Sequence, residues 1–405
     1  MNAKKQAEEL CRALIRIPSN SGEEKAIAAF LQDYLRRAGF DSAQTDAYGN
    51  VIARIKGNRS GKCILFDGHI DTVPVEAPET WRHAPYGAEI DAGRIYGRGA
   101  TDMKGAVAAF CVAAAEFIRT HGHAFAGELC IAGVVHEECF EGVSARLISE
   151  TVHPDLVIIG EASEMNLKCS QRGRAEIVLE TFGVPCHSSN PQEGVNAVYT
   201  MCRLIEAIRC LPPQRNPAMA ADGIMELTDI KSAPYPGASV VPEYCRATFD
   251  RRLMVGETRE SVLQPLRELI ERMAAEDPSV RARVSFARGE ERCYTGALIA
   301  ADRFFPGWLA DRNAEWVQRI YREIIGMGYH PDFSGYRFCT NGSHYAGEAG
   351  IDCIGLGPSR EELAHTIDEF VELEELYAIT DYYTAVMQAM LLPPDTNQSP
   401  MSFAQ

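Results

Sequence analysis

The chain has no basic run, no apolar stretch near the ~20 residues of a membrane span, and no close-spaced cysteine pairs, and each absence removes a class of function. With 40 Lys and Arg against 56 Asp and Glu, the net charge of −16 opposes binding to nucleic acid or to an anionic membrane. The first thirty residues carry acids throughout, unlike a secretory leader, so a cytoplasmic protein is expected. The 13 cysteines are odd in number and fall mostly inside apolar runs (Cys63, Cys111, Cys130, Cys202). That distribution favours reduced, buried thiols over a disulfide frame or a cysteine zinc site. The zinc-protease helix motif of two histidines around a glutamate is missing too, which argues against an endoprotease of that type. There are no internal repeats. What is present is a chain of 405 residues, 46% hydrophobic, too long for one ordinary core, so two domains are expected.

The most informative stretch is 64–74, Ile-Leu-Phe-Asp-Gly-His-Ile-Asp-Thr-Val-Pro. A short apolar run bounded by Gly61 and Gly68 reads as a buried strand, and the polar pair falls at its carboxyl end, where open α/β sheets place ligands. His69 is the candidate metal ligand. Asp71, two residues on, leaves the backbone on the same side and is expected to accept the proton from the far imidazole nitrogen, fixing the tautomer. The same pattern recurs along the chain. The run 128–135 ends in His136-Glu137-Glu138, the run 156–159 ends in Gly160-Glu161, and ahead of both Asp102 sits among glycines (97, 99, 105) just before an apolar helix at 106–118. Singly, adjacent glutamates are solvated surface and a loop Asp is a helix cap. Together they match a parallel sheet that builds one site at its carboxyl edge.

Before this core, the stripe Ala7, Leu10, Cys11, Leu14, Ile15 marks a helix stopped by Pro18. Ser21 to Glu24 has capping-box spacing ahead of a second helix closed by Gly39. From about Gly173 the order becomes strand (175–182), helix (194–211), strands (224–230 and 238–250), helix (258–275) and strand (280–286). That order is the ferredoxin-like arrangement in an inserted domain. After about Tyr294 the α/β style resumes, with a helix through Trp316, Ile320 and Ile324, a strand at 351–355, His365 in a loop, and a long helix over 372–391. The tail from Pro393 reads as unstructured. The expected fold class is therefore α/β, a catalytic domain of 1–172 and 295–405 with a mainly parallel sheet between helices, plus a lid or dimerisation domain of 173–294.

His69, Glu138 or Glu137, Glu161, Asp102 and His365 make five ligands of the kinds zinc accepts, enough for two metals if Asp102 bridges them about 3.5 to 4 Å apart. The leftover glutamate is then free to act as general base in metal-assisted hydrolysis of an amide or ester.

The combination GHIDTVP, GRGATDMKG, HEE, GEAS and a late AH resembles the co-catalytic zinc hydrolases that include aminoacylases, carboxypeptidase G, acetylornithine deacetylase and succinyl-diaminopimelate desuccinylase. The resemblance spans nearly the whole chain. Residues 171–174, 183–187, 250–252 and 340–342 are most similar to a branch of the family associated with selenium metabolism. The resemblance implies two zinc ions per chain, replaceable by cobalt or manganese, one held by His69 and Glu161, the other by Glu138 and His365, with Asp102 bridging. It implies Glu137 as general base to a zinc-bridging hydroxide, Asp71 as the residue orienting His69, and a cis bond between Asp102 and Met103. His187 would reach across a homodimer interface, formed by the lid domains, to the oxyanion. Arg252, with Arg251 as rival, and Asn341 with Gly342 would contact a substrate carboxylate. The implied function is hydrolysis of amide bonds in small molecules, N-acyl or N-carbamoyl amino acids or short peptides. A dipeptidase or carboxypeptidase of the same family is the alternative within enzymes, and a non-catalytic binding protein on this fold the alternative outside them. One departure stands out. Cys139-Phe140-Glu141-Gly142 follows the glutamate pair where a plain glycine often comes sooner.

Overall fold

The structure, a computed structural model, describes residues 2–215 and 222–393, so the tail expected to be unstructured lies, beyond Pro393, outside the described residues. A mixed sheet organises the larger unit. Its centre is parallel: Ala126–Val134, Arg59–His69, Leu156–Ile159 and Asp352–Gly355 run side by side in that order. Val51–Lys56 flanks them antiparallel on one side, with Ser42–Thr45 paired antiparallel to it at the edge, and Leu167–Gln171 flanks them antiparallel on the other. Alternate residues of each central strand feed opposite layers, as a two-residue period requires. Ile64, Phe66, Ile131 and Ile158 pack on the helices Ala3–Ile15, Lys25–Arg37, Gly105–His121, Glu315–Gly326 and Leu373–Leu391. Leu65, Cys130, Val157 and Ile159 pack on the helix Val143–Val152 and on Tyr345.

The helix Gly105–His121 lies in the thick of this core and is buried on nearly every face, with alanines at 106, 108, 109, 113 and 114. An all-round apolar helix must be interior. Val107, Phe110 and Phe117, all buried, each contribute roughly 1.5–3 kcal/mol. The 13 cysteines are free, nine of them buried. Among the described residues no helix is long and apolar enough to cross a membrane.

The second unit has its own core of Ile177, Leu179, Met201, Leu204, Ala247, Phe249, Leu263 and Leu266. Its strands Gly173–Phe182, Ile224–Ala233, Tyr244–Leu253 and Ala282–Phe286 alternate with the helices Ala197–Arg209 and Arg259–Glu276. The spatial order, second strand, third, first, fourth, all antiparallel, is the ferredoxin-like one. The first of these helices starts three residues later than its hydrophobic pattern suggests, because Asn196 caps it by accepting from Val198 N and Tyr199 N.

The capping box expected at Ser21 does not form. The helix starts at Lys25 with no side-chain cap, and Ser21 Oγ donates instead to Asp71 at 2.7 Å. Glu24, the partner expected at the third position, is fully buried and accepts from Gly22 N. A hairpin that periodicity did not reveal, Arg288–Arg292 with Leu298–Asp302, docks on the larger unit, where Tyr294 Oη donates to Gly49 O and Cys293 and Ile299 pack with Phe140.

Candidate metal centre

Three neighbouring strands end on one rim. His69 is the last residue of its strand, the Glu137-Glu138 pair follows Val134, and Glu161 follows Ile159. Asp102 arrives from the loop before the helix Gly105–His121, and its bond to Met103 is cis. His69 Nε2 lies 2.8 Å from Asp102 Oδ1 and 3.6 Å from Glu161 Oε1. His365 Nε2 lies 3.1 Å from Asp102 Oδ2 and 2.9 Å from Glu138 Oε2. Two ligand triads therefore share Asp102: His69, Asp102 and Glu161, and Asp102, Glu138 and His365, the donor atoms of each lying within 4.8 Å of one another.

The electrostatics call for cations. Burial, then Glu161, push Glu137 well above the usual carboxyl range; burial, then Asp102, do the same to Glu161 and raise Glu138. Burial works against the His69 cation, yet Glu161 and Asp102 carry it well above its ordinary value, and hydrogen bonds to Asp102 and Glu138 hold His365 up at about 10. Glu137 Oε1 and Glu138 Oε1 are buried without a hydrogen-bond partner. Four carboxylates with two imidazoles, one oxygen of each adjacent glutamate unpaired, fit a pair of divalent ions, and the mixed nitrogen and oxygen donors suit zinc, cobalt or manganese. A third cluster, Cys63, Glu128 and Cys130, lies elsewhere on the sheet, and there Arg54 already holds Glu128 through both oxygens.

Asp71 is placed differently from the expectation. His69 Nδ1 lies 2.8 Å from the main-chain carbonyl of Asp71 but 3.8 Å from its carboxylate. The carboxylate instead accepts from Glu137 N at 3.1 Å, Glu138 N at 3.2 Å and Ser21 Oγ at 2.7 Å. The backbone of Asp71 thus orients His69, while its side chain fixes the glutamate pair.

Asn341 and Gly342, expected at the substrate, are engaged by the protein. Asn341 Nδ2 donates to Asp67 Oδ1 at 2.9 Å and its Oδ1 accepts from Gly142 N at 3.0 Å. Gly342 N donates to Thr340 Oγ1 at 3.1 Å, and a Cβ there would fall 2.3 Å from Trp308 Nε1. These residues brace the loop after the glutamate pair against the central strand. Arg251 is turned to the helix side of its sheet and paired with Glu257, whereas Arg252, a third exposed, is held through Nε by Asp250 at 3.0 Å. His187 is exposed in the smaller unit with Nδ1 2.7 Å from Ser189 Oγ, and none of its hydrogen bonds among the described residues reaches the carboxylate cluster.

Glu369 went unnoticed in the sequence, where nothing marks it. It is fully buried and cradles the Asp102 loop: one oxygen accepts from Gly99 N and Arg98 Nη1, the other from Thr101 N and Asp102 N.

Comparison with known proteins agrees with this geometry. The chain is 30% identical over 383 residues to the uncharacterized protein YgeY of Escherichia coli, covering 93% of this chain and 92% of that one. It is 31% identical over 388 residues to a succinyl-diaminopimelate desuccinylase of Cereibacter sphaeroides, covering 93% and 96%. Among solved structures it superposes on the aminopeptidase PepT of Bacillus cereus with a TM-score of 0.74 at 18% identity, covering 96% and 98%. On the YXEP protein of Bacillus subtilis, described as a dinuclear metal-binding peptidase, it does so with a TM-score of 0.72 at 14% identity, covering 95% and 97%. The family description "Peptidase family M20/M25/M40" matches residues 65–389, and the chain belongs to this family of metal-dependent hydrolases, peptidases and deacylases.

Proposed function

We propose that the protein is a di-zinc amidohydrolase that cleaves an N-acyl or N-carbamoyl amino acid, or a short peptide with a free carboxylate. The observation that carries this reading is the pair of ligand triads sharing Asp102, with the unpaired carboxylate oxygen of Glu137 beside them. His69 and Glu161 would hold one ion, Glu138 and His365 the other, and Asp102 would bridge. Such a pair, when bound, supplies Lewis-acid polarisation of the scissile carbonyl and a water of lowered pKa.

The chain's own groups perform the rest. Glu137, buried and with its pKa raised above the usual carboxyl range, takes the water's proton and returns it to the leaving nitrogen as a general acid–base. Asp71 holds the base in register through the backbone amides of Glu137 and Glu138. Arg252 grips the substrate carboxylate. Residues 173–294 form a lid, and His187, from this subunit or a partner copy, donates to the oxyanion. A homodimer through the lid is supported by the edge strand Ile224–Ala233, which among the described residues pairs on one side only and exposes Ile224 (47%) and Ile230 (45%).

The test is metal content per chain on purified protein, with turnover of acyl amino acids, carbamoyl amino acids and dipeptides before and after chelation. About two metal equivalents and chelator-sensitive hydrolysis are expected, and the preferred substrate class names the reaction. No bound metal, with no turnover restored by zinc, cobalt or manganese, would replace this reading with that of a binding protein on the same fold.

A further inference from the structure

Two segments carry the chain between the sheets, and they meet through glycine. A Cβ on Gly173 would lie 2.4 Å from Gly307 N and from Phe305 O, and one on Gly307 would lie 2.7 Å from Gln171 O. Just past this crossing stand Arg174 and Arg303, and both reach the loop of Cys139, Phe140 and Glu141 that follows the glutamate pair. Arg174 Nη1 donates to Glu141 Oε1 at 2.9 Å, and its Nε donates to Asp250 Oδ2 at 2.9 Å. Arg303 Nη1 donates to Cys139 O at 3.0 Å, its guanidinium lies 5.2 Å over the Phe140 ring, and its Nε is 3.5 Å from Glu176 Oε2.

Strand register explains the convergence. Arg174 stands directly opposite Arg252, and Glu176 opposite Asp250, so all four share one face of the smaller sheet. Ala175, Ile177 and Phe249 belong to the other face and join the helix-side core. Asp250 therefore bonds two arginines at once, Arg174 through Oδ2 and Arg252 through Oδ1. At the far end, Glu141 Oε2 is buried without a partner, so the ion pair with Arg174 is the tie that Glu141 makes across the crossing. Phe140 is fully buried and its N–H bonds back to His136 O and Glu137 O, which leaves the loop no slack with which to absorb a pull on Glu141.

We propose that Arg174 is a positioning residue that relays the setting of Arg252 to the loop carrying Glu137 and Glu138, through Asp250 on one side and Glu141 on the other, with Arg303 anchoring the same loop at Cys139. The relay rests on the function proposed above insofar as Arg252 grips a substrate carboxylate. A carboxylate drawn to Arg252 then sets the base as well as the substrate, so substrates that carry it gain in turnover and not only in binding. On the loop side the relay ends at Cys139 and Glu141, within residues 139–142.

The test compares Arg174→Met, Glu141→Gln and the double variant with the wild type, on the preferred panel substrate and on its carboxamide analogue. In the wild type kcat falls at least tenfold when the carboxylate is replaced. In Arg174→Met that kcat ratio collapses toward one, while the KM ratio, set by Arg252, stays within about threefold of wild type. Hydrogen exchange at the Glu137 and Glu138 amides, which needs no substrate, speeds up at least tenfold in each single variant and no further in the double. A kcat ratio unchanged in Arg174→Met, exchange unchanged in both single variants, or effects that simply add would each overturn the relay. A wild type that turns over no panel member fails the function reading, and the exchange comparison then still decides whether Arg174 holds the loop.

Discussion

The placement of Asp71 makes Asp71→Asn a discriminating substitution. If its carboxylate oriented His69, the variant would loosen the ion held by His69 and Glu161. The structure assigns that work to the main-chain carbonyl, 2.8 Å from Nδ1, which the substitution leaves in place. The side chain accepts three donors, and an asparagine can serve only part of that set. With its oxygen turned to Glu138 N and Ser21 Oγ, its amide nitrogen faces Glu137 N, donor against donor. Two costs follow, a lost bond to a charged acceptor, about 1.5–3 kcal/mol, and a buried N–H without a partner, about 1–3 kcal/mol, with overlap between them. A net loss of about 2–4 kcal/mol is expected in urea unfolding of the metal-free protein.

The functional consequence is selective. Displacing Glu137 by an ångström lowers kcat about 10²-fold. Loss of a buried partner behind a ligand weakens metal binding about 10- to 100-fold, and here that ligand is Glu138, not His69. Stepwise titration of the metal-free variant against a competing chelator should therefore show one ion bound at near wild-type affinity and the other weakened. The reverse pattern, or loss at both sites with unfolding energetics unchanged, would refute the reasoning and restore the carboxylate to His69.

Other outcomes can be stated briefly. His187→Ala should lower kcat about 10²- to 10³-fold with metal content unchanged, as expected for a lost oxyanion donor; retained turnover in the purified variant would sink that role. Apparent metal affinity should rise about tenfold per pH unit between pH 6 and 8, because His365, held at about 10 by Asp102 and Glu138, must shed its proton to ligate. A flat profile in chelator competition would contradict this. Glu348 is drawn down to about 2: burial opposes its anion, but hydrogen bonds from His344 and Arg146 more than offset that. A depressed carboxyl contributes stability that is complete above its unfolded value near 4.5 and is lost as pH falls through 2, up to about 3 kcal/mol. The stability gap between wild type and Glu348→Gln should shrink across that window, and a gap constant from pH 5 to 2 would count against the assignment.

What the sequence disclosed, and what it hid, follows from the range of the interactions. Central strands buried on both faces read as continuous apolar runs, so the parallel core and the residues ending its strands could be found by eye, and four of the five candidate ligands, His69, Asp102, Glu138 and Glu161, were legible because each is punctuated locally by a strand end or by glycines. The ferredoxin-like unit was legible in the same way, from the order of its periods. The partners of these residues were not. Glu369 lies 267 positions or more from the amides it holds, Asn341 lies 199 from Gly142, and Ser21 abandons its local cap for Asp71 50 residues on. No periodicity marks a side chain whose partner is fixed only when the sheet has assembled. Ser21 shows how such a case misleads: the capping-box spacing is genuine, but its hydroxyl donates to a buried carboxylate that also holds two amides, a stronger bond than accepting from the N–H groups of a helix start in water. The candidate ligands are read from local motifs, whereas Arg174, Asp250 and Glu141, which connect the two units behind them, come together only in the folded structure.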